Sequence, residues 1–479
     1  MSMEKVVIVV ANSAWFGSPV FMEPLASVPV IGGCLKDDFD YEVIDCNGSQ
    51  YTEEQSYRAI KETGARIVLI TALSVNLHRH YARIAELARE ALPEAIIVMG
   101  GVYVTTCYEH IIHDKNVDYL MMGPAEERLC PFLHAILEKE DLSGMHGIAY
   151  RKDGKDIINP LESFVGDVKK LISPDYTKYD LTPYIEHGFR VSNKANREVP
   201  IMTSYGCPHD CLFCAVRTVN GRKMIFRDVE DIIDEIRFLK ERYNIDAIAF
   251  VDDNILADRE RAKKLFSRMI EEDFRLKVRF LSMPLWLLND EILDLIAKVG
   301  TYALTLSVES GCNRTLREII RKPFNREIVP GIVKMCKERG IFVFANIIIG
   351  FPNETWDDIR ESIAFAEKCD ADILNIYIAT LLPKTDLYNM AVEQNCIVDG
   401  FDFFASDNAP IFSRGCISTE EFTPERLEIL RAYEWDRINF STPEKRKKYC
   451  ELRGITDEEL KAYRKKSLED FGMTSLGRK

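Results

Sequence analysis

Short, fully apolar runs recur along this chain at helix-length intervals, and that rhythm restricts the fold more than any other feature. In the first 140 residues the runs are KVVIVVA from Lys5, YEVIDC from Tyr41, RIVLITA from Arg66, AIIVMGG from Ala95 and YLMMG from Tyr119. Each is long enough for a strand and too short for a core helix, and amphipathic helical stretches separate them. A helix between two strands returns the chain to the same end of the sheet, so the strands must run parallel, with helices on both faces. Ligands on such a doubly wound sheet bind at the carboxyl ends of the strands.

The rhythm weakens from His146 to Pro200, where ISPDYTKYDLTPY reads as a connector wrapping the first unit. It resumes with IMTSYG from Ile201, AIAFVDD from Ala247, KVRFLSM from Lys277, YALTLSVE from Tyr302, FVFANIIIG from Phe342 and ILNIYIATLL from Ile373. Strands alternating with helices such as VEDIIDEIRFLKERY indicate a β/α barrel, and six repeats rather than eight imply a partial, open one. The expected α/β architecture is a Rossmann-like domain over 1–145, a connector over 146–195, a partial (β/α)6 barrel over 196–400 and a helical C-terminal cap over 401–479.

With 479 residues, 47% of them apolar, two or three packed units are expected. No apolar run reaches the roughly 18 residues of a membrane span, and MSMEKVVIVVANSAW lacks the pattern of a signal peptide, so a cytoplasmic protein is expected. Thirteen scattered cysteines are then thiols or metal ligands rather than disulfides. A net charge of -14 argues against a nucleic-acid partner. The basic KRKK at Lys445 to Lys448 reads as a solvated helix face.

The segment SYGCPHDCLFCAV places Cys207, Cys211 and Cys214 at CxxxCxxC spacing directly after the first barrel strand. Three thiolates on one compact loop hold three irons of a cubane cluster and leave the fourth iron open to a chelating ligand. A zinc site completed by His209 and a set of buried structural cysteines are the rival readings.

With Phe213 before its last cysteine, CPHDCLFC resembles the signature of the radical S-adenosylmethionine (SAM) superfamily. VDDN at Val251 to Asn254, SVESG at Ser307 to Gly311 and IIIGFPNET at Ile347 to Thr355 match further family segments at strand ends. The resemblance implies a [4Fe-4S] cluster on the three cysteines, with SAM on its open iron. It places Asp253, Asn254 and Glu309 near the polar end of SAM and Phe213, Ile348 and Gly350 near its adenine, with Ser310 and Tyr377 as further SAM-binding residues. Tyr377, Thr380 and the segment LLPKTDLY are also candidates to line the substrate path.

A doubly wound domain ahead of such a barrel resembles the cobalamin-binding, or class B, radical SAM methylases, over roughly residues 1 to 400. By that resemblance TALSVNLH, MGGVYVTT and MMGPAEE cradle a corrin. The implied cobalamin-binding residues are Ser13, Trp15, Leu73, Ser74, Val75, Asn76, Gly100, Gly101, Tyr103, Gly123 and Glu126, the glycines giving close backbone approach. One departure matters: cobalamin-dependent mutases carry DxHxxG, whose His ligates cobalt, but the second strand here is followed by DCNGSQ. His78 and His80 stand in or just past the third-strand loop and are candidates to approach cobalt, but helical, solvent-facing positions are the expectation for both.

The implied activity is methylation of an unactivated carbon, with phosphorus as the second choice, in a small molecule or lipid, using methylcobalamin and a 5′-deoxyadenosyl radical. A one-electron reductant such as flavodoxin or ferredoxin is the implied partner. Radical cyclisation, ring contraction or carbon–carbon coupling without methyl transfer, with or without bound cobalamin, is an alternative. So is a non-catalytic cobalamin sensor or carrier. A tRNA methylthiotransferase would need three further cysteines at cluster spacing, and Cys34, Cys46, Cys107 and Cys130 lack it.

Overall fold

The computed structural model describes residues 3–18, 23–161, 171–188, 192, 197–405 and 414–468. They fall into two compact units: Met1–Phe189 with Met202–Cys207 and Val216–Asn244, and Arg190–Ile201 with Pro208–Ala215 and Ile245–Lys479.

The first unit is built on a sheet of β1 (Lys5–Val10), β2 (Asp40–Asp45), β3 (Ile67–Thr71), β4 (Ile96–Gly100), β5 (Tyr119–Met121), β6 (Ile148–Lys152) and β7 (Lys155–Asn159), in the order β2-β1-β3-β4-β5-β6-β7. The five apolar runs form β1 to β5, all parallel. β1 and β3 are adjacent, so the strand order reverses there and the loops that follow them part at the carboxyl edge, opening a crevice. The segment expected to be only a connector begins with an antiparallel hairpin, β6 and β7, that extends the sheet. Its turn is Asp153-Gly154, both at positive φ, the tight Asp-Gly reversal that suits the twist of two strands. Residues 171–188 do wrap the sheet: the Tyr184 hydroxyl donates to Asp45 at 2.7 Å and that of Tyr41 to Asp175 at 2.8 Å. A short pair, β9 (Ser204–Tyr205) and β10 (Ile225–Phe226), also belongs to this unit.

The second unit holds a parallel sheet of β8 (Glu198–Ile201), β11 (Ala247–Phe250), β12 (Lys277–Met283), β13 (Thr301–Glu309), β14 (Phe342–Ile349) and β15 (Ile373–Ile378), ordered β15-β14-β13-β12-β11-β8. The first of these ends at Ile201, where the sequence pattern had placed its start. Register sorts the side chains. Ala345, Ile347 and Ile349 are fully buried, whereas Phe344, Asn346 and Ile348 share the opposite, half-open face with Thr305, Ser307, Asn375 and Tyr377. One face is core and the other is the barrel lumen.

Helices Pro424–Phe440, Pro443–Arg453 and Asp457–Leu468 form the C-terminal region. Asn439 pairs with both the N–H and the C=O of Leu374 at 2.8 Å, which occupies polar groups of edge strand β15. The KRKK segment is a helix face as expected, solvated at Lys447 and Lys448 and half-buried at Lys445 and Arg446. Lys445 and Arg446 cap the carbonyls of Ile438 and Phe440, and Lys448 pairs with Asp372; these cations finish the preceding helix and anchor the next one.

Candidate functional site

The cysteine loop is fixed by Leu212, the first of the two residues between its second and third cysteines. Leu212 is fully buried, its N–H donates to Ile320 O at 3.1 Å, and its carbonyl accepts from Leu387 N at 2.9 Å. With this residue locked, Cys214 N closes a turn onto Cys211 O at 3.1 Å, while Cys207 N bonds Gly221 O at 3.3 Å. All three thiols are half-exposed and none of the thirteen cysteines is in a disulfide. The donor set suits an iron–sulfur cluster: three thiols of incompletely buried cysteines on a short, pinned loop.

Close to Cys211 and Cys214 lies Lys322, which sequence reasoning missed. It is 7% exposed, its Nζ is 3.1 Å from Glu309 Oε1, and it stands over the rings of Phe213 and Trp286 at 5.8 and 5.3 Å. Burial pushes its ammonium down, but Glu309 and the thiols of Cys211 and Cys214 outweigh that and hold it above its ordinary value. His209, the candidate fourth zinc ligand, sits edge-on against Trp286 with ring centres 5.0 Å apart.

The residues expected around SAM occupy strand ends of this same unit. Asn254 is buried and Asp253 half-buried after β11. Glu309 ends β13 at φ 64 after a register shift, a left-handed conformation that turns its buried carboxylate out of the strand's alternation. Ser310 is fully buried with its hydroxyl 2.8 Å from that of Ser362, so it shapes the turn. Ile348 and Tyr377 are register partners on the lumen face, and burial raises the Tyr377 phenol. Thr380 donates to Ile378 O, closing the turn after β15. At Gly350, φ is +89 and a Cβ would meet Leu427 at 2.4 Å. The turn it opens is held by Glu354, another residue the sequence left unmarked: Oε2 accepts from Gly350 N at 2.7 Å and Phe351 N at 3.1 Å. Burial pushes the Glu354 carboxyl up to about 8 despite those bonds.

In the first unit, polar side chains at the carboxyl edge mostly satisfy one another. Asn47 Oδ1 accepts from both the N–H and the hydroxyl of Ser13, at 3.0 and 2.7 Å. Trp15 Nε1 donates to Tyr51 O at 3.1 Å. The Tyr81 hydroxyl accepts from Leu73 N at 2.9 Å and Ser74 N at 3.3 Å, and Ser74 caps the turn at Asn76 N. Val75 and Tyr103 are buried, the latter stacked on Tyr81 with ring centres 5.6 Å apart. His80 corrects the expectation of a solvent-facing ring: it is 3% exposed, with Nε2 2.9 Å from Trp15 O, because the loop after β1 folds over it. Burial lowers its imidazole. His78 is half-buried, with Nδ1 3.0 Å from Val75 O. Glu126 is fully enclosed, and burial raises its carboxyl against hydrogen bonds from its own N–H and the Tyr205 hydroxyl.

What remains is a surface suited to a large flat ligand. Leu73 is 41% exposed and Phe16 46%, on the loops that part at the strand reversal. Asn76 Oδ1 is buried without a hydrogen-bond partner. Gly101 needs to be glycine for the fold, since a Cβ at φ +107 would meet Ala72 O at 2.5 Å, and Gly123 has the same need at φ +73. Gly100 differs: a Cβ there would find only ordinary contact, 3.5 Å from Met121 O, so the fold leaves that edge bare without steric need. An exposed apolar side chain, an unpartnered buried amide oxygen and a bare strand end are a donor and contact set that fits a corrin.

Residues 201–366 match the radical SAM superfamily model and residues 20–133 the B12 binding domain model. The chain is 27% identical over 379 residues to the cytidylyl-2-hydroxyethylphosphonate methyltransferase of Streptomyces wedmorensis, covering 73% of this chain and 70% of that protein. It is 25% identical over 389 residues to the anaerobic magnesium-protoporphyrin IX monomethyl ester cyclase of Rubrivivax gelatinosus, covering 79% and 68%. In fold it is similar to the radical SAM methyltransferase TsrM of Kitasatospora setae, with a TM-score of 0.69 at 19% identity over 82% of this chain and 76% of that one.

Proposed function

We infer that this chain, which belongs to the radical SAM enzymes with a cobalamin-binding domain, is a methyltransferase acting on an unactivated carbon of a small molecule or lipid. In such enzymes the cluster delivers the electron that splits SAM and cobalamin carries the methyl group. The observation that carries the reading is the pairing, in one chain, of a pinned loop of three half-exposed thiols with a sheet edge that keeps Leu73 exposed and Gly100 bare. The similarity to a phosphonate methyltransferase supports methyl transfer.

The residues divide the work. Cys207, Cys211 and Cys214 hold the cluster. Asp253, Asn254 and Glu309 orient the polar end of SAM, while Ser310 and Gly350 shape the turns around it and Phe213, Ile348 and Tyr377 give it apolar and aromatic walls. Leu73, Asn76 and Gly100 meet the corrin directly, and Ser13, Trp15, Ser74, Val75, Gly101, Tyr103, Gly123 and Glu126 build the loops behind them. The protein's contribution is orientation and exclusion of water. A flavodoxin or ferredoxin supplies electrons, and a chain with thirteen thiols suits the reducing cytoplasm.

The similarity to the cyclase favours a second reading, radical ring closure without methyl transfer. The two separate in one assay: the anaerobically reconstituted enzyme is given reductant, methyl-labelled SAM and candidate substrates. Methyl transfer requires label in the product together with both S-adenosylhomocysteine and 5′-deoxyadenosine. Turnover that yields only 5′-deoxyadenosine and an unlabelled product would overturn it in favour of the cyclase reading.

A further inference from the structure

Lys322 reaches the cysteine loop by an unusual backbone path. After β13 the chain makes a π-helical turn over Thr315–Ile319, in which Ile320 N bonds Thr315 O at 2.8 Å. Arg321 then takes the left-handed conformation at φ 68, and Lys322 N returns to Leu316 O at 2.7 Å. Such π turns and left-handed non-glycine residues cost free energy in isolation and concentrate at functional positions. Here they have a definite result. Ile320 O receives the N–H of Leu212, the pin of the cysteine loop, and two residues later the lysine is delivered to the ring face of Phe213, the residue before Cys214.

A buried ammonium is costly without a partner, and Glu309 is the one ion-pair partner seen for it among the described residues, at 3.1 Å. Trp286, stacked on Phe324 with ring centres 5.4 Å apart, and Phe213 cover it and keep water away. In a medium of low polarizability a fixed charge acts strongly on its neighbours, and net charge and burial set the potential of an iron–sulfur cluster.

We propose that Lys322 is a positioning residue that sets the reduction potential of the cluster, its cation favouring the reduced state and Glu309 partly cancelling it. The inference rests on the radical SAM reading and adds a residue to it. The half-reaction is the uptake of one electron by the oxidised cluster from an external low-potential one-electron donor. No bond or proton on Lys322 changes.

The test is a mediator titration of the reconstituted full chain without SAM, followed by electron paramagnetic resonance. Lys322→Gln should shift the midpoint to more negative potential, with about a tenfold lower ratio of reduced to oxidised cluster at fixed poise, or ~59 mV for one electron. Glu309→Gln should shift it the opposite way, and Lys322→Arg should stay near the parent. Opposite signs are not expected of a merely structural defect. If both glutamine variants move the same way, or neither moves, the proposal is overturned. If Lys322→Gln takes up no iron, the Glu309→Gln variant decides, and no positive shift sinks the proposal. A parent protein with no reducible cluster would count instead against the radical SAM reading.

Discussion

The cysteine loop and the carboxyl edge of the first sheet prepare their sites in opposite ways. In the loop the three thiols lie within eight residues, Cys207 to Cys214, and distant backbone groups at Ile320 and Leu387 fix its second half through one buried leucine. At the sheet edge the polar groups are consumed internally, Ser13 by Asn47 and the N–H groups of Leu73 and Ser74 by Tyr81, leaving bare glycine and exposed apolar surface. On the proposed reading, one site is defined by its thiol donors and the other by shape. Loss of a ligand atom should therefore act all-or-none, and loss of shape should act by degrees.

The largest effect is expected from replacing any one of the three loop cysteines with alanine. Iron should fall from about four per chain to nearly none, and SAM cleavage should vanish while corrin uptake persists. Colorimetric iron analysis and chromatography of 5′-deoxyadenosine check this. A variant that keeps its iron would break the contrast.

Tyr81→Phe should destabilise the first unit by ~1–3 kcal/mol, since two loop N–H groups lose their acceptor, and should weaken corrin binding without affecting iron. Denaturant unfolding with and without cobalamin reports both effects.

The barrel side has its own graded element in Glu354. Its carboxyl titrates near 8 in the folded chain, above the ordinary 4.5, so its contribution to stability is complete below about 4.5 and is lost as pH rises through 8. The parent should lose stability over that window by at most ~1.4 kcal/mol per pH unit. Glu354→Gln, which keeps an acceptor for Gly350 and Phe351, should flatten the slope, as thermal melts across pH would show.

The smallest stability change sharpens the contrast most. Gly100→Ala should alter apo stability by less than ~0.5 kcal/mol, because the added Cβ meets only ordinary contacts. It should still weaken cobalamin binding by about tenfold, or ~1.4 kcal/mol. Equal binding in the two proteins would mean that the bare edge does not face the corrin.

The parallel strands of both sheets and the cysteine loop were legible because their signals are local. The runs that form β1 to β5 and β11 to β15 are contiguous and apolar, and the thiols fall in one motif. The β6–β7 hairpin was missed because its outer residues are polar and exposed, although Asp153-Gly154 was a readable turn signal. Lys322, Tyr81 and Glu354 were missed for a different reason. A lysine, a tyrosine and a glutamate inside helical or turn patterns look like many others, and only tertiary structure brings them to a thiol loop or an unpaired N–H. His80 inverted its expected exposure because the loop after β1 covers it, which helical periodicity does not reveal.

The most direct test is the absorption spectrum of the full chain after oxygen-free purification with iron, sulfide and cobalamin supplied. Sharp corrin bands over the broad absorption of a [4Fe-4S] cluster are expected, with the cluster component alone removed when Cys207, Cys211 and Cys214 are all alanine. A chain that takes up neither iron nor cobalamin, or that keeps the iron absorption without those thiols, would contradict the account.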